Sequence, residues 1–338
     1  MTSSIPLWRH IQRNNFTQIK VLCDYLELDE SNRQKILYSP RFPLNLPQRL
    51  ANKIAKNCLT DPIFRQFVPL CDEQVPHPDF VPDPVQDACH RKTNKILHKY
   101  HGRALLVTTS ACAMHCRYCF RQNFAYETQE RTFDEDLSYL STDSSIKEII
   151  LSGGDPLSLS DSTLTQLLTQ LDAIQHLDRI RIHTRFPIGI PERIDDSFLH
   201  LLAACKKQLF FVIHANHPRE LDLEVLQVLK RIQRLGIPVL NQSVLLKGVN
   251  DTEDVFLSLA QNLVNAGILP YYLHALDPVQ GSSHFALADE RGHQLLHYVQ
   301  THLSGYGVPK FVREESGQPS KTPLNSKLFL YTDKITVY

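Results

Sequence analysis

Residues 104–121 read ALLVTTSACAMHCRYCFR. A short apolar, β-prone run of this kind is the signal of a buried strand. It leads directly into a loop with three cysteines, Cys112, Cys116 and Cys119. Three thiols this close together suggest a metal. Structural zinc takes four ligands, commonly as two paired sets. Here a second pair is missing, so His115 or a remote residue would have to complete a zinc site. A four-iron cluster held by cysteine alone takes four thiolates. Three thiolates leave one iron without a protein ligand, which is what a cluster needs if it is to bind a substrate rather than only pass electrons.

Outward from this stretch, further strand signals follow at 148–154 (EIILSGG), 179–185 (RIRIHTR), 209–215 (LFFVIHA), 239–246 (VLNQSVLL) and 269–276 (LPYYLHAL). Helical stretches separate them, among them STLTQLLTQLDAI, DSFLHLLAACKK, LEVLQVLKRIQRLG and DVFLSLAQNLVNAG. The last two end at Gly236 and Gly267, as helix C-termini often do. Strands alternating with helices predict an α/β fold with a parallel sheet, either doubly wound or curled into a full or partial barrel. In each case functional residues gather at the C-terminal ends of the strands. The cysteine loop and Gly153-Gly154-Asp155 both fall there.

The first 60 or so residues show helical spacing in FTQIKVLCDYL, LDESNRQKIL and PQRLANKIAKNCL. Residues 62–84 contain six prolines and read as an extended crossing segment. The sequence thus divides into an N-terminal helical lobe with its connector (1–90), an α/β body (91–305) and a C-terminal segment (306–338).

Thirty-six basic and 36 acidic side chains give no net charge, which argues against a nonspecific grip on nucleic acid. No apolar run has membrane-spanning length and the start lacks a signal-peptide core, so a cytoplasmic protein is expected. Cysteines in such a chain are thiols or ligands more often than disulfides. Cys23 and Cys205 read as small buried hydrophobes, and Cys58, Cys71 and Cys89 have no motif spacing.

The C-x3-C-x2-C loop after the first strand, with Tyr118 before its last cysteine, resembles the signature of the radical S-adenosylmethionine enzymes. That resemblance implies a [4Fe-4S] cluster on Cys112, Cys116 and Cys119, with S-adenosylmethionine chelated to the open iron and cleaved to a 5′-deoxyadenosyl radical. The segment SGGDP (152–156) resembles the family's glycine-rich segment, which places Gly153, Gly154 and Asp155 beside the cofactor. Glycines there let backbone approach a ligand closely.

A more specific resemblance covers about residues 95–325. The segments LHKYHGRALLVTTSACAMHCRYCFRQNF, LSGGDPL, IRIHTRFPI, LNQSVLLKGVND, LPYYLHALDPVQGSSHF and SGQPSKTPL are similar, in order, to segments of the lysine 2,3-aminomutase family. The fold this implies is a partial parallel (β/α)6 barrel with an N-terminal helical lobe and a C-terminal segment closing the barrel mouth. The cofactors implied are the cluster, S-adenosylmethionine and pyridoxal 5′-phosphate. The radical removes a β-hydrogen that no ordinary base can ionise, and pyridoxal phosphate holds the migrating nitrogen.

Carried over by position, Lys321 is the Schiff-base lysine, although Gly317-Gln318-Pro319-Ser320 replaces the usual run of glycines. Arg121 pairs with the substrate carboxylate, a task suited to a guanidinium fork. Tyr100 and Arg103 match residues on the pyridoxal phosphate side, and Lys99 stands where relatives have arginine. Asp277 and Glu314 match the two carboxylates that hold the distal ammonium of lysine, with Glu314 replacing the usual aspartate. Two carboxylates suit a cation and repel a glutamate side chain. His183, His214, Asn216 and His217 are further candidates for lining the pocket.

No cysteine follows Cys205, so the cysteine-bearing tail that binds zinc between subunits in the longer enzymes is not expected here. This implies the short branch of the family, which makes (R)-β-lysine for a separate ligase to attach to elongation factor P. L-Lysine and an electron donor such as flavodoxin or ferredoxin complete the implied partners. Two alternatives compete with this reading. One is a sister aminomutase acting on arginine or glutamate. The other is a non-enzymatic iron–sulfur or zinc protein, which would need a fourth ligand near the cysteines.

Overall fold

A computed structural model describes residues 5–127 and 132–324. Part of the C-terminal tail considered above, residues 325–338, lies outside the described residues. Among the described residues, nine strands form one sheet in strict chain order: β1 (Ile96–Tyr100), β2 (Arg103–Thr109), β3 (Glu148–Gly153), β4 (Arg179–Thr184), β5 (Gln208–Ile213), β6 (Val239–Val244), β7 (Leu269–His274), β8 (Lys310–Arg313) and β9 (Thr322–Pro323). Pairing from β2 through β8 is parallel, while β1 and β9 add antiparallel at the two edges. All six strands expected from the sequence form. A seventh parallel strand, β8, extends the (β/α)6 expectation.

The sheet curls until its edges meet. Glu314, just after β8, accepts hydrogen bonds from Lys99 (3.2 Å) and Tyr100 (2.5 Å) on β1. Across the interior, Arg181 on β4 reaches the Tyr271 hydroxyl on β7 at 3.4 Å. The result is a partial barrel with a side seam between β1 and β8.

The N-terminal helices are α1 (Leu7–Arg13), α2 (Ile19–Tyr25), α3 (Glu30–Arg33), α4 (Gln48–Ala51) and α5 (Pro62–Phe67). The barrel adds α6 (Asp134–Thr142), α7 (Asp161–Asp172), α8 (Phe186–Gly189), α9 (Asp196–Ala204), α10 (Leu223–Gln233), α11 (Glu253–Asn265) and α12 (Asp289–His302). The long helices form where caps and apolar spacing agree. In α10, Asp222 accepts from the Val225 amide, Val225, Leu229 and Ile232 face inward, and the chain turns out at Gly236 (φ +77°). Trp8, Leu22, Phe64 and Phe67 share one continuous core with Ile149, Ile180 and Phe211. The N-terminal helices therefore pack onto the barrel with no separate core of their own.

Two local readings need correction. The proline-rich stretch begins with a helix, because Pro62 occupies the first helical turn, where its missing N–H costs nothing. Asp61 caps that helix through the Ile63 and Phe64 amides. In residues 47–59 only Gln48–Ala51 is helical. The remainder of the connector, which holds a 3-10 turn at Cys71–Gln74 and is otherwise irregular, is tied to the barrel, with the Val81 amide donating to the Pro278 carbonyl at 2.9 Å.

Candidate active site

The barrel encloses a cavity of ≈ 630 Å³ bordered by side chains from β1 to β7, the cysteine loop and the C-terminal segment. Cys112, Cys116 and Cys119 line it, and so does Lys321.

The cysteine loop is held to the end of β3 by glycine. Gly153 has φ +123°, and a Cβ there would lie 2.7 Å from the Thr109 carbonyl oxygen. A Cβ on Gly154 would lie 2.3 Å from the Ala111 carbonyl oxygen. The Gly154 and Asp155 amides donate to those same carbonyls at 2.6 and 2.7 Å. The close approach is thus to the backbone of the cysteine loop. Buried Asp155 braces the next joint. Its carboxylate accepts from the Leu157, Arg185 and Phe186 amides and from the Thr184 hydroxyl.

Burial pushes the Cys119 thiol up to about 11 and the Cys112 thiol well above its usual range. Thiolates at Cys112 and Cys119 need a cation, and the half-buried trio suits a cluster as its ligands. Among the described residues, no three His, Cys, Asp or Glu side chains are arranged around a single metal ion. His115, the nearest candidate for a fourth zinc ligand, engages the Pro43 carbonyl through Nδ1 at 2.8 Å and stacks on Phe42. Arg185 donates to the Cys116 sulfur at 2.9 Å and to Tyr118. Its other nitrogen bonds Gln66 and Glu220, both at 2.7 Å, and Asn216 donates to the Tyr118 hydroxyl at 2.6 Å.

At the seam, Lys321 Nζ lies 2.9 Å from Glu314. Burial disfavours the Glu314 carboxylate, but Lys321, Tyr100 and Lys99 outweigh it and hold its pKa at about 2. Asp277 is the opposite case. Burial raises its pKa to about 7 against the pull of Lys321, and its buried Oδ1 has no hydrogen-bond partner. One carboxylate is therefore committed, and the other borders the cavity with one buried oxygen left unpaired.

Arg121 is buried, and its Nε pairs with Asp87 at 2.9 Å while Nη1 reaches the Ser152 hydroxyl at 3.3 Å. Asp87 comes from the connector and also takes Lys99 at 3.2 Å. Burial opposes its ionisation, and Arg121 and Lys99 outweigh burial, so its pKa falls. His183 and His214 meet at 3.2 Å, both held neutral by burial, with His214 at about 3. His183 and Asn216 line the cavity, whereas His217 caps the turn at 218–220.

The expected thiols, glycines, Tyr100, Arg103, Arg121, Asp277, Glu314 and Lys321 thus all border one chamber. Asp155 borders it too, with both carboxylate oxygens already engaged. Asp87, Arg181, Arg185 and Glu220 were not anticipated. Asp87 lay in a stretch read as linker, and the others were lone charges within strand or turn signals.

The Radical SAM superfamily model matches residues 106–260, from β2 into α11. The L-lysine 2,3-aminomutase of Escherichia coli strain K12 is 42% identical over 290 residues, covering 85% of this chain and 84% of that protein. The L-lysine 2,3-aminomutase of Haemophilus influenzae is 41% identical, covering 93% and 94%. That of Buchnera aphidicola subsp. Baizongia pistaciae is 35% identical, covering 84% of each.

Proposed function

The chain belongs to the lysine 2,3-aminomutase family of the radical SAM superfamily, and we propose that it converts L-α-lysine to (R)-β-lysine. The observation that carries this reading is a single cavity lined by three thiols and also by a lysine amine, with two carboxylates beside that amine. When bound, the [4Fe-4S] cluster, S-adenosylmethionine and pyridoxal phosphate supply a hydrogen-abstracting radical and a carrier for the migrating nitrogen.

The chain's own residues bind and orient. Cys112, Cys116 and Cys119 are the cluster ligands. Gly153 and Gly154 shape the neighbouring wall for S-adenosylmethionine, and Asp155 fixes that wall from behind. Lys321 is the amine that tethers pyridoxal phosphate, with Tyr100 and Arg103 beside it. Arg121 takes the substrate carboxylate. Asp277, with its unpartnered oxygen, takes the distal ammonium, and Glu314 adds negative charge nearby. Enclosure keeps water from the reacting centre.

Retention of both carboxylates favours a cationic substrate over glutamate. We assign the three segments 1–90, 91–305 and 306–338 as divisions of role: packing lobe, cluster-bearing barrel and amine-bearing closure. Among the described residues no helix is long and apolar enough to cross a membrane. The proposal extends to a cytoplasmic setting, a flavodoxin- or ferredoxin-like reductant, and delivery of β-lysine through a ligase to elongation factor P.

The test is anaerobic incubation with L-lysine, S-adenosylmethionine, pyridoxal phosphate and a strong reductant, followed by chiral product analysis. (R)-β-Lysine is expected. Its absence, or equal turnover of L-glutamate, would refute the assignment. Replacing Lys321 with Ala is expected to remove the absorption of protein-bound pyridoxal phosphate while iron content stays unchanged.

A further inference from the structure

Lys99 is a cation bordering the cavity beside Tyr100, yet its ammonium already has three acceptors. These are the Val85 carbonyl at 2.8 Å and the carboxylates of Asp87 and Glu314, both at 3.2 Å. A cation so enclosed by oxygens has little left for an anion. Another positive group near the starts of the strands is not saturated in this way. Arg181 borders the cavity with its side chain 12% exposed, and its Nε is buried without any partner. Its Nη1 reaches the Tyr271 hydroxyl at 3.4 Å, and its Nη2 meets Glu148 at 2.5 Å. A buried, unpaired guanidinium N–H beside a chamber is costly unless an acceptor arrives.

Arg103 lies in the same region. Its guanidinium sits over the Tyr100 ring at 4.4 Å, and among the described residues it forms no ion pair. Arg103, Glu148 and Arg179 are register partners across β2, β3 and β4, and Arg103 and Arg181 both act electrostatically on Tyr272. One carboxylate, Glu148, is shared by Arg179 at 3.5 Å and Arg181 at 2.5 Å, so the patch keeps a positive excess. The Tyr272 ring lies tilted by 37° against Tyr271, 3.8 Å between centroids, and Lys321 Nζ lies 5.8 Å from the centre of the Tyr272 ring. Amine and guanidinium thus border one wall, joined by two tyrosines.

We propose that Arg181 is a phosphate-binding residue for pyridoxal 5′-phosphate, working with Arg103 and taking the part that Lys99 has given up to its carboxylates. The unpaired Nε is the donor that the phosphate satisfies, and Tyr271 holds the guanidinium in place. This rests on the reading of Lys321 as the cofactor amine.

The experiment compares equilibrium binding of pyridoxal 5′-phosphate and of unphosphorylated pyridoxal, followed by absorption of the lysine-bound form, in wild type, Arg181→Gln, Arg181→Lys and Glu148→Gln. Arg181→Gln is expected to weaken the phosphorylated form on the order of 10- to 100-fold and to leave pyridoxal unchanged, collapsing the preference between them. Arg181→Lys is expected to recover part of that preference. Glu148→Gln removes the same ion pair but keeps the cation, and should preserve or sharpen the preference. An unaltered preference in Arg181→Gln overturns the proposal, as does an equal loss in Glu148→Gln, which would mark the ion pair as merely structural. Absence of any lysine-bound form in wild type would overturn the amine assignment and this inference with it.

Discussion

Asp277 and Glu314 are two carboxylates in one chamber with opposite electrostatics, and each makes a prediction. For Asp277, burial raises the folded-state value to about 7. The substrate-free protein therefore loses stability as pH climbs from the ordinary carboxylate range through 7, and the cost is complete above it. Asp277→Asn should raise Tm at pH 8 by roughly 2–4 °C, converge with wild type below pH 4, and raise KM for lysine. Calorimetry across pH, alongside kinetics, checks this, and a lower Tm at pH 8 would contradict it. Residues of this kind were legible because they sat in recognisable strings such as HALDPVQG and SGQPSKTPL. Asp87 was not, because nothing local marks a carboxylate that folds back to meet an arginine 34 positions away. Its interaction with Arg121 exists only in three dimensions. With Asp87→Ala, Arg121 loses its Nε partner, and KM for lysine should rise about 10-fold with a smaller change in kcat.

The strand–loop joint at β3 follows from packing geometry. Gly154→Ala would push a methyl group into the Ala111 carbonyl, so the cysteine loop has to shift. Iron per chain and S-adenosylmethionine cleavage should fall several-fold, while helix content by circular dichroism stays near wild type. Full iron loading would show that the joint tolerates a side chain. At this level the parallel strands were readable, since each is a β-rich run bounded by helical spacing. β1 and β8 were harder. β1 is joined to β2 through His101-Gly102, a two-residue turn without the usual Asn or Asp, and β8 is only four residues long. The start of α5 was misread because proline density was counted and proline position was not.

Among the described residues, the barrel is closed at its seam by side chains rather than by a ladder of backbone hydrogen bonds. Glu314 ties β1 to the segment after β8, and its carboxylate is held at about 2 by groups whose pull exceeds the cost of burial. Such a group contributes stability above pH 4.5 that is lost as pH falls toward 2. Glu314→Gln should cost about 1–3 kcal/mol at neutral pH, with the difference vanishing in acid. It should also speed limited proteolysis of the C-terminal segment, and equal cleavage rates would show that the seam does not depend on this contact. No sequence pattern announces a seam, because periodicity reports which face of a strand is buried and says nothing of whether the sheet's two edges meet.

Strict chain order also has a consequence for how the molecule comes into being. Each new strand emerging from a ribosome finds its neighbour already made, so the sheet can grow by accretion from β1 onward. Lys321 arrives last, and its surroundings are complete only once the two edges have met. Holding an aldehyde at that amine would then report that the chain has been made through its seam, and chains stalled before Lys321 would carry iron ligands yet remain colourless for pyridoxal.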